Sequence, residues 1–179
     1  AVEGIFFPDT YYFIKGSSDL DILQRAYKTM QNHLQNYWSE RVESLPLNTP
    51  YEALILASII EKETGAESDR AEIAGVFINR LRKGMKLQTD PTVIYGLGEQ
   101  FDGNLRKKDL LADQEYNTYT RAGLPPTPIS LPSLASIRAA LNPAETDALY
   151  FVAKGNGESE FSTNLADHNK AVNKYQKQQ

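Results

Sequence analysis

The sequence of 179 residues contains no cysteine. Disulfide bonds, thiolate catalysis and zinc sites built from cysteine are therefore excluded. Histidine is also scarce: His33 and His168 lie far apart and form no HExxH motif, which argues against a zinc hydrolase. Each of the two is more typical of a surface or partly packed side chain than of a ligand.

The chain also lacks a long apolar run and an excess of positive charge. No segment reaches the roughly 20 apolar residues that a transmembrane helix needs, and no signal peptide is visible. The formal net charge is −4, and the lysines and arginines, Arg80 among them, stand in short groups among acids and are interpreted as solvated helix faces and loops. Because nucleic-acid binding needs a clustered basic surface, we expect no nucleic-acid partner.

What is present predicts one α+β domain, mostly helical, with a small peripheral sheet. Apolar spacings of three and four predict helices over residues 20–42, 51–64, 68 or 69 to 84, 133–141 and 165–175. Short apolar and aromatic runs at residues 4–7 and 10–14 predict two strands or one kinked edge strand. A further strand is predicted at 149–153, followed by a hairpin turn at 154–159. Thr49 and Pro50 are typical of a helix start, as N-cap and first helical residue.

The second predicted helix ends in an unusual way, because its apolar run "LILASII" leads directly into Glu61 and Glu63. A carboxyl group at the edge of an apolar environment keeps its proton at neutral pH and can act as a general acid. The plainer interpretation is that the helix simply leaves the core there. The two acids point about 200° apart on a helix, so they do not form a close pair. Periodicity does not choose between them.

Between residues 86 and 130, amides, hydroxyls and tyrosine rings are concentrated in loops fixed by glycine and proline. Such side chains suit a sugar, whose hydroxyls take hydrogen bonds and whose ring faces stack on aromatics. Structural roles are equally compatible: a helix cap for Asp90, core packing for the tyrosines, and turns or caps for the asparagines. The candidate binding residues are Gln88, Thr89, Asp90, Tyr95, Asn117 and Tyr119, with Asn164 further along the chain.

Five segments together resemble the endolytic murein transglycosylase family, also called YceG-like. They are "EGIFFPDTYYF", "ASIIEKET", "VFINRLRKGMKLQTDPTVIYGLG", "YNTYTRAGLPPTPIS" and "FSTNLADHN". They follow one another in the family's order from Glu3 almost to the C-terminus. The sequence departs from the family at Thr127, where we expect glycine, and this loop difference carries little chemical weight.

The resemblance implies an enzyme that cleaves the β-1,4 bond between N-acetylmuramic acid and N-acetylglucosamine inside peptidoglycan, leaving 1,6-anhydromuramoyl ends. It implies that Glu61, the first acid of "EKE", is the catalytic residue on a lysozyme-like active-site helix. One acid suffices because the C6 hydroxyl of the muramic acid serves as nucleophile, so we expect neither a cofactor nor a metal. We expect Glu61 to have a raised pKa and Gln88, Tyr95, Asn117 and Tyr119 to converge on it.

The resemblance also implies partners and a location. The substrate is the glycan strand of peptidoglycan, and cell-wall synthases are further expected partners. Members of the family are held in the cytoplasmic (inner) membrane by a single N-terminal helix, with the catalytic region facing the periplasm. Residues 1–179 lack that anchor and the LysM-like module that follows it, so we expect them to form the catalytic domain.

Two rival functions remain at this point. A lysozyme-like muramidase would use water instead of the C6 hydroxyl, with Asp90 as the second carboxylate. A non-catalytic glycan-binding module would use the same loops, and its acids would be inert.

Overall fold

The computed structural model describes residues 2–64 and 66–176. Within these ranges six α-helices and a two-stranded sheet are arranged around one buried helix, so the predicted mostly helical α+β fold is confirmed. The helices are α1 (Asp19–Ser39), α2 (Pro50–Glu63), α3 (Glu67–Arg82), α4 (Asp90–Leu97), α5 (Lys107–Leu111), α6 (Leu134–Leu141) and α7 (Leu165–Tyr175). The strands are β1 (Tyr150–Ala153) and β2 (Ser159–Ser162).

Helix α2 forms the centre of the core, and every residue from 53 to 60 is buried. It begins as predicted: Thr49 Oγ1 accepts a hydrogen bond from the backbone amide of Glu52 (3.2 Å), and Pro50 is the first helical residue. Helices α1, α3 and α6 pack around its middle turns. The helix is therefore buried on all sides between residues 53 and 60 and becomes charged again in its last turn.

The predicted start of helix α3 is wrong. Its N-cap is Ala66, and Ser68 and Asp69 already lie inside the first turn. The carboxylate of Asp69 accepts a hydrogen bond from the backbone amide of Ser159 (2.5 Å). Asp69 therefore holds the first residue of β2 and does not cap the N-terminus of α3. Ser68 and Asp69 are residue types that favour the N-cap position, but this preference is a local signal. The hydrogen-bond partner of Asp69 lies 90 residues further along the chain.

The N-terminal aromatic segments do not form the predicted strands at residues 4–7 and 10–14. In the described part of the chain no strand pairs with them, and the Phe7 amide donates instead to the carbonyl of Ala26 in α1 (3.1 Å). The Phe7 ring packs on His33 of the same helix, with 4.6 Å between ring centroids. A strand needs a neighbouring strand for its backbone groups, and this segment lies along a helix.

The C-terminal part of the prediction is confirmed. Strands β1 and β2 pair antiparallel, with Tyr150 opposite Ser162 and Ala153 opposite Ser159. Helix α7 follows, capped by the Asn164 side chain, which accepts a hydrogen bond from the Asp167 amide (3.0 Å). The helix packs on both strands, so the hairpin and α7 form one unit at the side of the core.

The loops before and after helix α4 are joined next to the end of α2. The Gln88 amide donates to the Thr118 carbonyl (3.1 Å), and the Thr89 amide donates to Thr118 Oγ1 (3.0 Å). Gln88 adopts a φ of 52°, an unusual value for a residue other than glycine. These contacts fix the polar residues of the two loops beside the last turn of α2.

Candidate active site

Glu61 lies in the last turn of α2 and points to the start of α6. Its Oε2 accepts hydrogen bonds from the Ser133 amide (2.9 Å), Ser133 Oγ (2.6 Å) and Ser136 Oγ (2.6 Å). Burial alone would raise the pKa of Glu61, but these hydrogen bonds outweigh burial and lower the pKa below its ordinary value. The expectation of a raised pKa at Glu61 is therefore wrong.

Glu63 is the last residue of α2, and its carboxyl group lies beside the start of α4. Thr89 Oγ1 donates a hydrogen bond to Glu63 Oε1. The residue as a whole is half-buried, yet protein atoms surround its carboxyl group. Burial, reinforced by the charge of Asp90 and opposed by the Thr89 hydrogen bond, raises the pKa of Glu63 to about 7. This carboxyl therefore keeps its proton near neutral pH, as a general acid must.

Asp90 and Tyr119 stand beside Glu63. Asp90 is the first residue of α4 and not its cap, because Thr89 occupies the N-cap position. The Tyr119 hydroxyl donates a hydrogen bond to Asp90 Oδ1 (2.5 Å). Burial, together with that hydrogen bond and the charge of Asp90, raises the pKa of Tyr119, so the hydroxyl stays protonated.

A cleft of about 450 Å³ lies between the end of α2 and the unit formed by the hairpin and α7. Its volume is in the range of small-ligand sites. Three predicted binding residues line the cleft together with Glu63: Gln88, Asp90 and Tyr119. Arg80, Tyr150 and His168 also line it. The structure thus brings three of the predicted binding residues together, around Glu63.

The four other predicted binding residues do not line this cleft. Asn117 is fully buried, and its Nδ2 donates to the carbonyls of three residues that precede it, Asp109, Leu110 and Ala112. Tyr95 packs on the ring of Tyr116, with 4.9 Å between centroids, and Asn164 caps α7. These three side chains have structural roles, as the alternative interpretation in the sequence analysis predicted: core packing for the tyrosine, and a turn or a cap for the asparagines. Thr89 is buried and reaches the site through Glu63.

The sequence profile of the YceG-like family matches residues 1–174. The chain belongs to the YceG-like family. The endolytic murein transglycosylase of Bacillus subtilis (strain 168) is 45% identical over 175 residues, which cover 97% of this chain and 48% of that protein. The protein of the same name from Streptococcus pneumoniae (serotype 2, strain D39) is 33% identical over 177 residues, covering 96% and 32%.

A putative YceG-like protein from Listeria monocytogenes has a crystal structure similar to this one. The TM-score is 0.82 at 43% sequence identity, and the match covers 94% of this YceG-like chain and 55% of that chain. The present chain spans less than half the length of the two curated relatives it matches. In its described residues, no helix is both long and apolar enough to cross a lipid bilayer.

The sequence did not point to three residues that line the cleft: Arg80, Tyr150 and His168. Its pattern predicts a solvated helix face for Arg80 and a surface or partly packed side chain for His168, and it does not single out Tyr150. The structure buries Arg80 and places all three in the cleft wall. Two of them fall inside segments that carry the family resemblance, "VFINRLRKG" and "FSTNLADHN", and that was the signal available.

Proposed function

We propose that this chain is the glycan-cleaving part of an endolytic murein transglycosylase and that Glu63 is its general acid. The observation that carries the proposal is a cleft-lining carboxyl whose pKa is raised to about 7. The names of the curated relatives support peptidoglycan as the substrate. Attachment to the cytoplasmic membrane and contact with cell-wall synthases stay predictions from the family resemblance.

In the proposed reaction one carboxyl group serves twice. Protonated Glu63 gives its proton to O4 of the departing N-acetylglucosamine as the bond between C1 and O4 breaks. The resulting carboxylate then takes the proton from the C6 hydroxyl of the muramic acid as O6 bonds to C1. The products are a free 4-hydroxyl and a 1,6-anhydro ring, and Glu63 is protonated again.

The family resemblance assigns this role to Glu61, and that assignment stays a prediction. The geometry favours Glu63, because Glu61 accepts three hydrogen bonds that stabilise its ionised form and does not line the cleft. An acid that is ionised at neutral pH has no proton to give to O4.

Cleavage by two matched variants tests the proposal. Glu63→Gln removes the proton but keeps the shape, and we expect it to lower the cleavage rate of glycan strands by about 10²-fold or more. Glu61→Gln makes the same change two residues away and should retain most of the activity per folded molecule. Loss of activity in Glu61→Gln alone, with Glu63→Gln active, would return the role to Glu61.

A lysozyme-like hydrolase is the second candidate, because Asp90 lines the same cleft as Glu63. Mass analysis of the products separates the two reactions, since an anhydromuramoyl end lacks one water. We expect anhydro ends from the wild type and measurable turnover from Asp90→Asn. Reducing ends as the main product, with a folded but inactive Asp90→Asn variant, would favour the hydrolase.

A further inference from the structure

Arg80 is a buried cation without an acidic partner. The residue is 7% exposed, and in residues 2–64 and 66–176 no carboxylate lies within ion-pair distance of its guanidinium. Its Nε donates to the Leu149 carbonyl (2.7 Å), and its Nη1 donates to backbone carbonyls including that of Leu87 (2.9 Å). Nη2 has no hydrogen-bond partner among the described residues, and the guanidinium lines the cleft. A buried guanidinium is normally paired with an anion, so this one leaves a binding capacity unused.

His168 also lines the cleft, close to Arg80, and one of its ring nitrogens has no hydrogen-bond partner among the described residues. Its ring stacks on Tyr150, with centroids 5.2 Å apart, and the Arg80 guanidinium lies 5.0 Å from the centroid of the same tyrosine. Nδ1 is buried and has no partner among the described residues. A buried N–H without an acceptor is more costly than a bare lone pair, so we assign the proton to Nε2. Burial and the charge of Arg80 lower the pKa of His168, which keeps the ring neutral at pH 7.

Among the described residues, Arg80 Nη2 and His168 Nε2 have no protein partner, and both are hydrogen-bond donors on residues that line the same cleft as Glu63 and Asp90. A sugar hydroxyl can accept from these two donors, but neither of them offers an acceptor for its own O–H. A carbonyl or carboxylate oxygen only accepts and matches two such donors.

We propose that Arg80 and His168 form a donor wall that binds an acyl oxygen of the glycan and so orients the sugar at Glu63. The inference rests on the proposed function. Two substituents of the glycan carry such an oxygen: the acetamido group of either sugar, and the lactyl carboxyl group of muramic acid.

Substitution of His168 gives a cleaner test than substitution of Arg80, because Arg80 also holds backbone carbonyls in place. His168→Phe keeps a ring to stack on Tyr150 but removes the donor. His168→Gln places an amide N–H at a similar reach and should restore binding. Asn169→Ala is the matched control, since Asn169 is exposed on the same helix and does not line the cleft.

The measurement is the dissociation constant for two ligands in the Glu63→Gln background, which we expect not to cleave them. An oligosaccharide of N-acetylglucosamine carries acetamido groups alone, and a peptide-free glycan strand also carries lactyl carboxylates. We expect His168→Phe to weaken binding about five- to tenfold, with His168→Gln and Asn169→Ala within about twofold of the parent. Weakening for both ligands identifies the acetamido group, and weakening for the strand alone identifies the lactyl carboxyl.

Two results would overturn the donor wall. One is unchanged binding of both ligands by His168→Phe. The other is equal weakening by Phe and Gln, because this would show that the ring's shape matters and its donor does not. Cleavage by Glu63→Gln at close to the wild-type rate would instead contradict the proposed role of Glu63, and this rate is measured from products and not from dissociation constants.

Discussion

At the scale of single residues, two acids in one helical turn are held in opposite protonation states by their surroundings. Glu61 faces three hydrogen-bond donors at the start of α6, which favour its ionised form. Glu63 accepts a hydrogen bond from one donor, Thr89, and the burial of its carboxyl group favours the neutral form. The pKa values of two identical side chains therefore shift in opposite directions because their environments differ.

The raised pKa of Glu63 predicts that this residue destabilises the fold at alkaline pH. Its pKa is about 7 in the folded protein against an ordinary 4.5, so the folded state binds the proton more tightly than the unfolded state. Stability is then lost as pH rises from 4.5 through 7, by up to about 3 kcal/mol. Glu63→Gln should therefore be more stable than wild type at pH 8 and nearly equal to it at pH 4.5. Urea unfolding at both pH values measures this, and no gain at pH 8 would contradict it.

Glu61→Gln should show the opposite dependence. The folded-state pKa of Glu61 is lowered, so its contribution to stability is present above pH 4.5 and is lost as pH falls through the folded-state pKa. The amide keeps one acceptor but loses the charge that strengthens three hydrogen bonds, and we expect a loss of about 1–2 kcal/mol at pH 7. Urea unfolding of this variant at pH 7 and pH 3 measures the loss, with Glu63→Gln as the control. Equal stability of wild type and Glu61→Gln at pH 7 would show that the Ser133 contacts contribute nothing.

At the scale of elements, the cleft depends on two loops that carry little secondary structure of their own. Asn117 fixes one of them: its Nδ2 donates to three backbone carbonyls, the closest at 2.7 Å, and its Oδ1 accepts from the Tyr119 amide (2.8 Å). Thr118 joins this loop to the residue that holds Glu63, since its Oγ1 accepts from the Thr89 amide (3.0 Å). The position of Tyr119 in the cleft therefore follows from buried contacts behind it.

Asn117→Ala tests this dependence. The change leaves several buried backbone groups without partners, and we expect it to lower the free energy of unfolding by about 2–4 kcal/mol. Asn104→Ala is the matched control, because Asn104 is exposed in the preceding segment and should change stability by less than about 0.5 kcal/mol. Urea unfolding compares the two, and similar small losses in both would mean that Asn117 is not the anchor of the loop.

Elements with local signals could be predicted from the sequence. Helix α2 carries its start in Thr49 and Pro50, and α7 carries its cap in Asn164. The N-terminal aromatic segment carries strand-forming residues too, but no local pattern reveals whether a partner strand exists. It lies on α1 instead, and the prediction is wrong there.

The choice between Glu61 and Glu63 could not be made from the sequence for a related reason. The donors that ionise Glu61 begin 72 positions away at Ser133, and the donor to Glu63 is 26 positions away at Thr89. Helical spacing shows that the two acids point in different directions, but it does not show what each one meets. The burial of Arg80 could not be predicted for the same reason, since its Nε donates to the Leu149 carbonyl, which lies 69 positions further along the chain.

At the scale of the whole molecule, the last turn of α2 lies between two parts of the fold. One side of that turn faces α6 in the helical core, and the other faces the cleft formed with the hairpin and α7. Glu61, the ionised acid, therefore links α2 to α6 in the core, and Glu63, the acid that keeps its proton, lies at the cleft. Glu61 and Glu63 thus have separate roles in the proposal, Glu61 in the structure and Glu63 in the reaction.

The most direct test is a residue-specific NMR titration of the side-chain carboxyl carbons, with Glu61→Gln and Glu63→Gln used to assign the two signals. We expect Glu63 to titrate with a midpoint near 7 and Glu61 below 4.5. A Glu61 carboxyl that titrates near neutral pH, with Glu63 in the ordinary range, would contradict this division of roles and would make Glu61 the proton donor.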